Sequence, residues 1–180
     1  MIGKLAKLLA HPGFRAAPFT VMARGLSLAL HVARRSPPVF ALVPGGPRLT
    51  VPADLRYTTI TGYMMREHTE PELAALPRFL GPGGVFVDAG ANIGLFTLLA
   101  AHVVGPAGRV LAVEPGHESL ARLDANLALN SLPQVKVIRA ALSDAPGTAR
   151  LFHVPLGDDP QAYSLMPEGG ATESEPVPLT

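Results

Sequence analysis

The chain has 180 residues, room for one globular domain or for a short leading segment plus part of a larger domain. Its 15 lysines and arginines against 14 acidic residues leave no basic footprint for nucleic acid, so a polyanion partner is not expected. The absence of cysteine removes disulfides, thiolate metal sites and cysteine nucleophiles together.

In chain order, Lys4 to Leu9 and Phe19 to Arg35 place leucines and alanines on one side, with Lys4, Lys7, Arg15, Arg24, Arg34 and Arg35 elsewhere, as short amphipathic helices do. The first reading is a packing or homo-oligomeric contact arm without membrane contact; peripheral contact with anionic lipid is the second. The apolar stretch Val21 to Ala33 is broken by Arg24 and His31 and is too short to cross a bilayer. No clean small-residue cleavage site follows Met1 to Ala10. A soluble, cytoplasmic chain is the expectation.

Arg34 to Pro38 breaks the helical pattern. Val39 to Val43, the turn-forming Pro44-Gly45-Gly46-Pro47, and Arg48 to Val51 then read as a β-hairpin. From Glu70 the text changes again: Glu72, Leu73, Leu76 and Leu80 fall at helical spacing, ended by Gly81-Pro82-Gly83-Gly84. The division that follows is an extension over 1–69 and a main domain over 70–180.

After it, short apolar runs alternate with helical patterns: strand Val85 to Asp88, helix Gly94 to Val104, strand Arg109 to Glu114, helix His117 to Asn130, strand Val135 to Ala141. This is the signature of βαβ units in a parallel sheet, an α/β Rossmann-like fold. The first two strands, as continuous apolar runs, are expected to be covered on both faces. In the second helix Leu120, Leu123 and Leu127 form the buried stripe, with Arg122, Asp124 and Asn126 facing outward. The turn Asp144-Ala145-Pro146-Gly147 leads into a strand over Thr148 to Val154, and the Gly-, Pro-, Ser- and acid-rich text beyond Pro155 reads as a loop.

The string Asp88-Ala89-Gly90-Ala91-Asn92-Ile93-Gly94 lies between strand and helix, where the backbone doubles back and glycines permit close approach of a ligand. The helix after it turns its positive end toward whatever is bound. Glu114 ends the next strand, about 20 residues on, where a carboxylate can accept hydrogen bonds from both hydroxyls of a ribose. A strand terminus or a helix-capping partner is the structural alternative for Glu114. A dinucleotide turn carries Gly-x-Gly-x-x-Gly against a pyrophosphate; here Asn92 stands at the central glycine and Asp88 brings a negative charge. That charge suits a sulfonium and repels a pyrophosphate, so S-adenosylmethionine is favoured, with Asp88 and Glu114 expected at opposite ends of one bound nucleoside.

Phe86 to Thr97, Val113-Glu114-Pro115, Asn126-Leu127-Ala128-Leu129-Asn130 and Ala140-Ala141-Leu142-Ser143-Asp144 together resemble the FkbM family of S-adenosylmethionine-dependent methyltransferases, over about Glu70 to Thr180. The resemblance implies a class I methyltransferase fold and O-methylation of a small hydroxylated acceptor: a secondary metabolite, sugar or glycan. It places Asp88, Gly90, Asn92 and Gly94 at the methionine end of the cofactor, Glu114 at the ribose, and Pro115 with Ala141 to Asp144 around the adenine. Ser143 or Asp144 is then a partner for the adenine amino group, although Asp144 equally suits the opening of a turn. The family pattern continues with a further acidic motif and additional strands, so the chain is expected to be the first part of such a domain, with an incomplete sheet.

Methyl transfer asks the protein to align two reactants and to remove the acceptor's proton. No base is identified: His68, His117 and His153 each read first as surface or packing histidines, and no metal-ligand spacing is present. Two rival readings remain open, a noncatalytic nucleoside-binding or interaction fragment of such an enzyme and an NAD-dependent oxidoreductase built on the same βαβ logic.

Overall fold

The computed structural model describes residues 9–153, 163–166 and 173–180. Internal packing divides the chain into two units, Met1–Ala75 and Leu76–Thr180.

In the first unit, helices α1 (Pro12–Ala16) and α2 (Pro18–Ala33) each carry a proline in the opening turn, where a missing N–H costs nothing. Strands β1 (Val39–Ala41) and β2 (Arg48–Thr50) form the expected antiparallel hairpin, with Val39 opposite Thr50 and Ala41 opposite Arg48. Its turn closes through Gly46 N–H to the Val43 carbonyl at 2.9 Å. Sequence reasoning offers no element for α3 (Tyr57–Met65), which is rich in threonine and interrupted by Gly62 and so has weak intrinsic propensity. Packing supplies what propensity lacks: Thr59, Thr61, Met64 and Met65 are buried, and the Tyr63 ring meets Phe40 edge-on at 4.9 Å. Arg24 of α2 donates to the Met64 carbonyl at 2.9 Å, joining the two helices. A 3-10 turn (Arg66–His68) and α4 (Pro71–Ala75) complete this unit.

The second unit opens with a 3-10 turn, Leu76–Arg78, in place of a continued helix, because Pro77 cannot extend it. Strands β3 (Val85–Ala89), β4 (Arg109–Val113) and β5 (Val135–Ile138) pair in parallel in the order β3-β4-β5, Asp88 lying opposite Ala112. Helices α5 (Leu95–Val104) and α6 (His117–Ala128) make the crossovers. This is the incomplete parallel sheet of a Rossmann-like α/β fold. The central strand β4 is covered, but β3 departs from expectation: as the sheet's outer strand it leaves Val85 and Val87, two residues apart and hence on one face, more than half exposed.

A second sheet follows. Strand β6 (Gly147–His153) pairs antiparallel with both β7 (Tyr163–Ser164) and β8 (Glu173–Leu179). The expected loop beyond Pro155 is therefore corrected at Tyr163–Ser164 and Glu173–Leu179; 154–162 and 167–172 lie outside the described residues. The prolines of β8 account for the difference. Pro178 turns its carbonyl to the Ala141 N–H at 2.9 Å, on the side away from β6. Since N–H and C=O of one strand residue share a side, Pro176 and Pro178, two apart, put both missing donors where the β6 ladder does not need them.

Candidate functional site

The turn from β3 into α5 is built from alternating left-handed residues: Gly90 at φ 81°, Asn92 at φ 49° and Gly94 at φ 95°. Asparagine is among the few side chains that tolerate this region, which accounts for Asn92 between two glycines. Winding the chain this way turns successive amides toward β4. Gly90 and Ala91 both donate to the Val113 carbonyl, at 2.8 and 3.0 Å, and Asn92 N–H donates to Glu114 Oε2 at 2.8 Å. A Cβ on Gly94 would stand 2.7 Å from Leu123 Cδ1, whereas one on Gly90 would meet nothing within 4 Å. Gly94 is thus committed to packing and Gly90 to an open space.

Glu114, 4% exposed, takes Asn92 N–H on one oxygen and Gly116 N–H on the other, both at 2.8 Å. Two amide donors demand two acceptor oxygens, which a carboxylate provides and an amide does not. Burial pushes the carboxyl above the usual glutamate range, the bonds from Gly116 and Asn92 oppose that, and the charges of Asp88 and Glu175 reinforce it. The helix-capping alternative is part of the answer, since Gly116 immediately precedes α6, but each oxygen keeps a further lone pair.

Helix α6 braces the turn from behind. Asn126, expected to face outward, is fully buried and donates to the Ile93 carbonyl at 2.9 Å. Polarity on a helical wheel suggests solvent; a loop carbonyl in need of a donor decides otherwise. Ser119, buried as well, donates to Asn92 Oδ1 at 3.4 Å.

Beside Glu114 opens a cavity of about 380 Å³, within the range of small-molecule sites. Gly90, Asn92, Glu114 and Pro115 border it, with Ala140 to Leu142 and Leu151 forming an apolar wall. Asp88 does not: although it sits on the adjacent strand tip, it is buried against α5, accepting a hydrogen bond from Thr97 Oγ1 at 2.5 Å. Burial raises its carboxyl above the ordinary aspartate range and the Thr97 bonds oppose the shift. The expected pair at opposite ends of one ligand is accordingly one wall residue, Glu114, and one residue held behind the turn. Gly94 lies behind the turn too. Ser143 and Asp144 are exposed and off the cavity wall, Ser143 Oγ donating to Asp144 Oδ1 at 3.2 Å and Ser143 N–H to the Thr180 carbonyl at 2.9 Å. None of His68, His117 and His153 borders the cavity.

Tyr163 is not among the residues expected from the sequence. Its ring and Leu165 border the cavity from the antiparallel sheet, and its hydroxyl is buried without a hydrogen bond of good geometry, Ser119 being near. A Cβ on Gly116 would lie 3.1 Å from both Glu114 Oε1 and Tyr163 Cε2, so this glycine is what lets the ring approach the carboxylate. His153 meets the Tyr163 ring edge-on at 5.0 Å. Glu175 lies 3.6 Å from His153 and also pairs with His117 at the start of α6. The signal in the sequence is slender: Tyr163 is the one aromatic after Phe152, in a polar, proline-rich tail.

Residues 88–178, from the end of β3 into β8, match the family described as the methyltransferase FkbM domain. Over 83 residues, 46% of this chain and 31% of the relative, the sequence is 42% identical to methyltransferase sdnD of Sordaria araneosa. Over 76 residues, 42% of this chain and 28% of the relative, it is 41% identical to the 31-O-demethyl-FK506 methyltransferase FkbM of Streptomyces tacrolimicus. The matches thus span less than a third of the length of these curated relatives. Among solved structures, the methyltransferase FkbM from Methylobacillus flagellatus KT is similar at 18% identity and a TM-score of 0.32, over 70% of this chain and 35% of that one. The family match takes in the turn at Gly90, the carboxylate Glu114 and the strands that wall the cavity, and on it the chain belongs to the FkbM methyltransferase domain family.

Proposed function

We propose that this chain carries the nucleoside-binding half-site of an S-adenosylmethionine-dependent methyltransferase that methylates a hydroxyl of a small metabolite, sugar or glycan. The observation that carries the reading is Glu114: a buried carboxylate at a strand tip, oriented by two amides, with lone pairs left for a diol at the edge of the cavity. The site fits the cofactor on chemical grounds. Glu114 offers acceptors for the ribose hydroxyls, Pro115 and Leu142 offer apolar contact for the adenine, and Gly90 leaves room for close approach. S-adenosylmethionine, when bound, supplies a methyl group on a positively charged sulfur. The acid-lined turn supports binding of such a cation: Asp88 adds negative potential from behind and, through Thr97, fixes the start of α5. An oxygen acceptor is supported by the relative named a 31-O-demethyl-FK506 methyltransferase. Alignment of the reactants and exclusion of water fall to the cavity walls.

Titration calorimetry of the chain with S-adenosylhomocysteine tests the reading. One saturable site, with no heat from NAD, is the expected result. Saturation by NAD alone would transfer the chain to the oxidoreductase reading.

A further inference from the structure

The exterior of α2 does not look like the exterior of an ordinary surface helix. Its inner side is docked: Val21 and Leu28 are buried, Arg24 bonds the Met64 carbonyl and Ser27 Oγ lies 3.0 Å from the Tyr63 hydroxyl. The other side carries Phe19, Met22, Leu26 and Leu30 at spacings of three and four residues, exposed by 86%, 61%, 69% and 50%. Between them stand Ala23, Ala29 and Ala33, also exposed, so this outer face is apolar from end to end. A water-facing stripe of that kind is reserved for something that covers it.

Charge identifies the cover. No aspartate or glutamate precedes Asp54, whereas Lys4, Lys7, Arg15, Arg24, Arg34, Arg35 and Arg48 all do. The overall balance conceals this, because the acidic residues are all gathered in the remaining text. Exposed Arg15 precedes α2, and exposed Arg34 and Arg35 follow it. A helix with a continuous apolar face inside an acid-free basic segment has the two elements of interfacial binding, apolar insertion and attraction to anionic headgroups. It is no spanning segment: no described helix is long and apolar enough to cross a membrane. A second copy would meet the same basic segment across a two-fold interface, like charge against like.

We propose that the outer face of α2 docks the protein on an anionic lipid surface. Flotation of the full chain with vesicles decides it. Phosphatidylcholine vesicles containing about one third phosphatidylglycerol should carry the protein, and pure phosphatidylcholine should carry at least about tenfold less. The Met22→Glu/Leu26→Glu double variant should lose flotation by a similar factor while its melting temperature stays put, both positions being exposed. Charge reversal at Arg34 and Arg35 should weaken flotation and leave less for salt to remove. Failure of the wild type to float, or flotation undiminished in the double variant, overturns the proposal. So does a dimer in light scattering that the double variant dissociates without any vesicle binding, which assigns the face to a second copy.

Discussion

At the tips of β3 and β4 the cavity wall is fixed by the main chain, through left-handed residues at Gly90, Asn92 and Gly94 and amides aimed at Val113 and Glu114; the wall from the antiparallel sheet is fixed by side chains, through the ring of Tyr163 on β7, braced by the edge of His153 on β6 and the carboxylate of Glu175 on β8. Main-chain placement costs its strain once, in folding, and leaves few rotamers to settle on binding. Side-chain placement is adjustable. On the proposed reading the difference is a division of labour: the turn would hold fixed acceptors for the nucleoside, and the antiparallel sheet would adjust the fit.

Substitution within the turn gives the largest expected effects. Gly94→Ala combines a left-handed backbone with a Cβ 2.7 Å from Leu123 Cδ1, in a fully buried part of the core. Strain of about 1–2 kcal/mol and overpacking of about 1–3 kcal/mol should together cost roughly 3 kcal/mol in urea unfolding. Gly90→Ala shares the strain but meets open space, so about 1 kcal/mol is expected, with the larger loss in ligand binding. Equal stability losses in the two variants would erase the distinction drawn between a packed and an open glycine.

Glu114→Gln comes next. The amide offers one acceptor oxygen to two N–H donors and turns an NH2 toward the other, so a bond is lost inside the turn as well as an acceptor for the ligand. Affinity for S-adenosylhomocysteine should fall by about 100-fold, since losing bonds to a buried charged group is worth about 1.5–3 kcal/mol. Circular dichroism should show the fold retained. Binding within a few-fold of wild type would reduce Glu114 to a helix cap and unseat the nucleoside reading.

On the other wall, Tyr163→Phe keeps the ring against Gly116 and His153 and removes only the hydroxyl. A hydroxyl buried without a good partner gains one when a ligand fills the cavity, a contribution of about 1 kcal/mol, so affinity should drop about fivefold. Stability without ligand should hold or rise. If stability falls instead, the Ser119 hydroxyl is a true partner and the phenol belongs to the fold.

Much of this division was legible in the text. Alternating apolar runs and helical stripes mark β3, α5, β4, α6 and β5, because the βαβ alternation is written into the local pattern, even though β3, at the sheet's edge, is not covered as its apolar run suggests. The turn was legible because its glycines and Asn92 are demanded by backbone conformation, a local requirement. Asn126 was not, because a buried donor looks the same as a solvated one until its carbonyl partner is placed. Strand β8 hid behind Pro176 and Pro178, whose compatibility with pairing depends on which edge they face. Tyr163 depends on contacts across sequence, with Glu114, Gly116 and His153, that no periodicity reports. Side-chain placement is therefore both the more adjustable wall and the less readable one.

The smallest effect concerns Asp88 and can be followed with pH. Asparagine preserves its shape and can still accept from Thr97, so Asp88→Asn isolates the charge. In the folded protein burial raises the carboxyl above its unfolded value, with the Thr97 bonds opposing. A raised carboxyl favours the folded state most when protonated, below the ordinary aspartate range. That contribution is lost as pH climbs through the folded value, because the native state then must hold a buried charge. The variant has no such slope. Its stability relative to wild type should accordingly improve between about pH 4 and pH 7, measured by urea unfolding at fixed ionic strength. A trend of the opposite sign would mean that Thr97 and its neighbours favour the charge more than burial opposes it. Asp88 would then be a carboxylate prepared by its hydrogen bonds, and the potential it lends to the turn would come without cost to the fold.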